Sequence, residues 1–175
     1  MSEKCQSSTP STLFRGTRRD VRAPSIVTLE RLLLRVTMMD LKRTAALLRP
    51  HSLTLPQFFA LLTVERGGEE GCTMSELAEG TLQTPSSLTG IVGRLAGRGL
   101  CVRARDLRDR RVVRVHLTPQ GKEVLTKVRE ARRAELIQSL GEASPTDMIA
   151  PLRELLEGLA RLAYPNGFYP PGLLL

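Results

Sequence analysis

Residues 73–121 read TMSELAEGTLQTPSSLTGIVGRLAGRGLCVRARDLRDRRVVRVHLTPQG. Thr73 and Glu76 have the T-x-x-E spacing of a capping box, in which side chain and backbone satisfy each other's orphan N–H groups. Met74, Leu77 and Ala78 give the helix that follows one apolar face, and Gly80 is expected to break it, with residues 80–83 as the turn. Thr84 then caps a second helix, whose first position is Pro85, where a missing N–H does no harm. Leu88, Ile91, Val92 and Leu95 recur at helical spacing and must face a core. Gly99 stands where a left-handed residue would stop the helix.

The opposite face of the second helix is nearly bare. Ser86, Gly90, Gly93 and Gly97 point away from the apolar stripe, flanked by Thr89 on one side and by Ser87 and Arg94 on the other. Interior glycines cost a helix roughly 1 kcal/mol each relative to alanine. Two readings stay open: a face that lets backbone approach DNA closely, or a weak surface helix without selected contacts. Few side chains there reach base edges, so Thr84, Ser86, Ser87, Thr89 and Arg94 are the candidates for direct readout.

Leu100–Arg105 and Val112–Leu117 are short β-type runs joined by Asp106–Arg111. Eight arginines and two aspartates lie between Arg94 and Arg114. Such density on a thin ribbon is costly unless phosphates neutralise it, and arginine at a ribbon tip suits a narrow, electronegative minor groove. Arg108, Arg110 and Arg111 are therefore candidate DNA contacts; the plain alternative is a solvated loop with internal Asp–Arg pairs. Helix, turn, helix and ribbon together predict a winged helix-turn-helix, a shape that sets one helix in a DNA groove and a β-ribbon beside it.

The run Thr84–Gly99, the D-x-R-D-R-R wing at Asp106–Arg111 and the closing Leu117-Thr118-Pro119-Gln120-Gly121 resemble the MarR family of bacterial and archaeal regulators. The resemblance covers about residues 24–163. It implies a homodimeric winged-helix repressor, released from its operator by a small ligand or by oxidation. The sequence departs from the family pattern at Gly90, Gly93 and Gly97, where members commonly carry polar or charged residues. Ligands of such proteins often sit between the dimer helices and the DNA-binding lobe; matching that region points to Met38, Met39, His51 and Phe58, residue types that also serve simply as core.

The rest of the chain fits a mainly α protein with a small β-wing. Residues 1–23 are rich in Ser, Thr and basic residues and read as a disordered basic arm. Residues 25–49 form a long helix whose Leu32, Leu34, Met38, Met39 and Leu41 widen the apolar surface beyond one stripe, as burial against a partner chain requires. A second helix spans 55–66, capped by Thr54, within a winged helix-turn-helix region of about 53–120. Two more helices cover 121–163, with Pro151 implying a kink or a late start, and 164–175 is an irregular tail. Helices 25–49 and 121–163 are expected to pair with those of a second copy, placing two reading helices on a palindromic site in double-stranded DNA.

The net charge is +8, with the excess in the first 50 residues and the wing. That suits a polyanion, although only the motif separates DNA from RNA or anionic lipid. The three cysteines, Cys5, Cys72 and Cys101, make neither a disulfide framework nor a zinc site. They read as incidental thiols, and none lies early in the first long helix, where oxidant-sensing relatives carry one. No secretory signal and no long apolar run occur, which points to a cytoplasmic, nucleoid-associated protein without a membrane partner. His51 and His116 are the only histidines, and no nucleophile elbow, HExxH or P-loop is present, so neither enzyme activity nor a cofactor or metal is expected.

Overall fold

The computed structural model describes residues 24–81, 83–106 and 109–165. The expected basic arm lies outside these residues, as do most of the C-terminal tail and Arg108. The elements in chain order are α1 (Pro24–Leu48), α2 (Leu55–Arg66), β1 (Cys72–Thr73), α3 (Met74–Thr81), α4 (Pro85–Gly97), β2 (Cys101–Arg105), β3 (Val113–Leu117), α5 (Pro119–Leu140) and α6 (Pro145–Ala163). The chain divides into two compact units within α1, one ending at Met39 and the other beginning at Asp40.

In the first unit, α1 carries Ile26, Val27, Leu29, Leu32, Leu34, Val36, Met38 and Met39, all exposed. The second unit holds the core. Leu48, Phe58, Leu61, Leu77, Leu88, Leu95, Leu100, Val115, Leu125 and Val128 are among its fully enclosed side chains. Two ion pairs tie α5 to the start of this unit: Arg132 Nη2 donates to both Asp40 oxygens at 2.8 and 3.0 Å, and Arg43 grips Glu135 through two nitrogens. Arg129 likewise holds Glu65 of α2.

The helix starts follow local chemistry. Thr54 and Gln57 form a reciprocal capping box at α2. At α3 the Glu76 carboxylate accepts the Thr73 N–H at 2.8 Å, and Thr73 Oγ1 accepts the Glu76 N–H at 3.2 Å. The sequence reading of Gly80 as a helix breaker is corrected: α3 continues through it to Thr81. Gly80 is instead a place of close approach, since a Cβ there would lie 2.8 Å from Thr63 Cγ2 of α2. Helix α6 begins at Pro145 and runs through Pro151, so the late start does not occur.

The sheet has the order β1–β3–β2, all antiparallel. Cys72 and Arg103 both pair with Val115, and Cys101 pairs with Leu117. The two-residue β1, which sequence patterning did not reveal, joins the start of α3 to the central strand of the wing.

Candidate nucleic-acid interface

Helix α4 buries Leu88, Ile91, Val92 and Leu95 and turns Ser86, Ser87, Thr89, Gly93, Arg94 and Gly97 to solvent. Its hydroxyls are engaged close to home. Thr84 Oγ1 accepts the Ser87 N–H at 3.3 Å and lies 3.1 Å from Ser86 Oγ. Ser87 Oγ donates to Gln83 Oε1 at 3.2 Å, and Thr89 Oγ1 donates to the Pro85 carbonyl at 3.0 Å. The hydroxyls that sequence reasoning assigned to base reading thus already serve the helix N-terminus.

Guanidinium groups lie over the glycines. Arg94 folds back along α4, so a Cβ on Gly90 would meet its Nη1 at 3.3 Å. Arg103 arrives from β2: its Nη2 donates to the Thr89 carbonyl at 3.0 Å and stands 3.8 Å from where a Cβ on Gly93 would be. Strand alternation explains the reach. Cys101 faces α4, its Sγ 3.9 Å from the Val92 carbonyl, and Arg103 two residues on shares that face. The sequence reading missed Arg103 because it weighed the wing by charge alone; the period-2 pattern from Cys101 was the available signal.

The wing tip is braced by its two aspartates. Asp106 and Val112 close the ribbon, the Asp106 N–H donating to the Val112 carbonyl at 2.9 Å. Asp106 Oδ1 accepts the Asp109 N–H at 3.1 Å, and Asp109 Oδ1 accepts the Arg111 N–H at 2.9 Å. Asp106 also pairs with Arg114, and that hydrogen bond pushes the Arg114 guanidinium further above its ordinary range. An internal Asp–Arg pair thus forms in the wing, while Arg105, Arg110 and Arg111 are exposed and make no ion pair among the described residues.

Arg98 has a different task. At the end of α4 its two Nη atoms donate to the carbonyls of Ser52 at 2.7 Å and His51 at 2.6 Å. Ser52 has φ 50°, an uncommon left-handed conformation for a residue other than glycine.

The expected effector residues differ in exposure. Phe58 is fully enclosed in the core, beside Phe59 with ring centroids 5.8 Å apart, and offers no surface to a ligand. Met38 and Met39 are exposed, and His51 is half-buried. An open cleft of about 470 Å³ beside the wing is lined by Glu69, Glu70, Ala104, Arg105, Asp106, Arg114 and His116, so carboxylates and guanidinium groups share its wall.

Cys72 and Cys101 are buried, and burial pushes both thiols above their ordinary pKa, which disfavours the reactive thiolate. The described residues contain no His/Cys/Asp/Glu cluster able to hold a metal ion. None of their helices is long and apolar enough to cross a membrane.

Comparison with known proteins places this helix and ribbon among transcriptional regulators. The MarR family profile covers residues 51–112. The HTH-type transcriptional regulator YsmB of Bacillus subtilis is 27% identical over 125 residues, 71% of this chain and 84% of that protein. The HTH-type transcriptional regulator TtmR of Methylorubrum extorquens is 35% identical over 83 residues, 47% of this chain and 42% of that one. Among solved structures, a MarR family protein from Bacillus stearothermophilus superposes with a TM-score of 0.68 at 27% identity, covering 79% of this chain and 96% of the other. CouR from Rhodococcus jostii RHA1, bound to p-coumaroyl-CoA, gives a TM-score of 0.65 at 27% identity, covering 81% and 94%. Residues 51–112 match the MarR family, and the described fold is that of its winged helix-turn-helix, DNA-binding transcriptional regulators.

Proposed function

We propose that the protein acts as a homodimeric repressor of palindromic operators, released by a small-molecule effector. The observation that carries this reading is apolar surface left uncovered on the terminal helices. Leu34, Val36, Met38 and Met39 of α1 are each more than 60% exposed, as are Ile137 of α5 and Leu162 of α6. Uncovered apolar surface on this scale marks an interaction site. A second copy is the economical cover, because two-fold symmetry also presents two α4 helices about one DNA turn apart, ~34 Å. The effector is supported by CouR, which was crystallised with p-coumaroyl-CoA. A ligand that prefers a dimer with wrongly spaced reading helices lowers operator affinity by the size of that preference.

The test combines sedimentation equilibrium with footprinting on DNA upstream of the protein's own gene. A dimer protecting a two-fold symmetric site is expected. A monomer that protects no defined site overturns the reading.

The engaged hydroxyls and the glycines of α4 favour a second reading, a winged-helix module that coats DNA without sequence preference or docks on another protein. Competition between the protected site and random duplex separates the two, since a specificity ratio near one supports the module.

A further inference from the structure

The α4 face meant for a DNA groove has lost its usual readers. Gly90, Gly93 and Gly97 offer no side chains, and Thr84, Ser87 and Thr89 spend their hydroxyls on local bonds. Of the other arginines in this region, Arg98 is committed to the 51–52 carbonyls and Arg114 to Asp106. Two guanidinium groups remain on the face, that of Arg94 over Gly90 and that of Arg103 over Gly93. Arg103 spends one N–H on the Thr89 carbonyl, which fixes its position, and the rest of its five-donor fork makes no hydrogen bond among the described residues.

We propose that Arg103, a strand residue, reads base edges together with Arg94 across the glycine face of α4, so that the preferred duplex carries guanine opposite each of them. The chemistry is the match between a guanidinium fork and the paired O6 and N7 acceptors of guanine in the major groove. The Arg103 Nη2 lies 3.8 Å from the point where a Cβ on residue 93 would stand, an ordinary contact distance, so a long side chain there would compete with the guanidinium for the same stretch of the face. The inference rests on the winged-helix reading, with α4 in the major groove.

The experiment is selection by the full-length protein from a pool of duplex DNA randomised over the site, repeated with Arg103→Ala, Arg94→Ala and Gly93→Gln. The wild-type pool should enrich guanine at two positions in each half-site. Arg103→Ala should erase one of them, with a loss of discrimination on the order of 5- to 150-fold there, and Arg94→Ala the other. Gly93→Gln should erase the Arg103 position while strengthening the helix, so a folding defect cannot account for the loss. A selected sequence left unchanged by Arg103→Ala and Gly93→Gln overturns the proposal, while salt-dependent duplex binding in the same samples keeps the winged-helix reading. Absence of duplex binding in the wild type overturns both.

Discussion

The Leu100 carbonyl oxygen occupies the space where a side chain on Gly121 would begin: a Cβ built there falls 2.1 Å away. Thr118 completes the joint. Its N–H donates to the same Leu100 carbonyl at 3.2 Å, and its Oγ1 donates to the Gly99 carbonyl at 2.6 Å while accepting the Gly121 N–H at 3.0 Å. The L-T-x-x-G motif is thus a junction at which α5 starts against the chain entering β2. Gly121→Ala must push these backbones apart, an overpacking cost of about 1–3 kcal/mol. A urea titration should show a lower midpoint with an unchanged slope, and an unaltered midpoint would mean that the joint yields freely.

Gly97 gives the opposite expectation. A Cβ there meets nothing within 4 Å. Gly97→Ala should raise stability by roughly 1 kcal/mol through helix propensity. Gly80→Ala, aimed at Thr63, should lower it. Thermal unfolding of the two variants side by side checks the contrast.

At the wing, Arg110 and Arg111 make no ion pair among the described residues. Replacing either with alanine should weaken binding to all duplexes alike and reduce the slope of log affinity against log salt by about 1 for each phosphate no longer neutralised. Fluorescence anisotropy at several salt concentrations reads both effects. An unchanged slope removes the wing from the DNA contact.

Asp106→Ala sets two effects against each other. Removing a negative charge should by itself improve binding to a polyanion. Asp106, however, accepts the Asp109 N–H and pairs with Arg114, and so shapes the tip that presents Arg110 and Arg111. Loss of this brace is expected to prevail: affinity falls, and the Asp109 amide exchanges faster with deuterium. A gain in affinity would show that net charge outweighs tip geometry.

Burial holds the thiols of Cys72 and Cys101 above the ordinary value of 9.0. Their protonated forms are thus favoured in the folded state, and their contribution is complete below the ordinary thiol value. It is lost as pH rises through the folded value. Stability should decline above about pH 9, more gently in Cys72→Ala, and alkylation of the native protein by iodoacetamide should be slow at neutral pH. Rapid neutral alkylation of Cys72 would contradict its enclosure.

Local rules made much of this fold readable. The Thr73–Glu76 box, the Thr84-Pro85 start and the positive φ of Gly99 each depend on residues within one turn. What escaped depends on distant partners. Gly80 looks like a breaker until Thr63 is known to lie beside it, and β1 is too short to carry an alternating pattern. Phe58 carries the chemistry of a ligand wall and of a core alike, and only packing assigns it to the core. Arg103 needed the register of β2 against α4, whereas Arg94 could be placed on its face from helical period alone.

The Arg98 fork has a mechanical consequence. It fastens the last turn of α4 to the 51–52 carbonyls by two short bonds, and Ser52 is already locked in a rare backbone conformation. Such a joint has little slack. A displacement of that corner would pull on the last turn of α4 as by a tie-rod, carried by backbone carbonyls and not by any residue of the outward face.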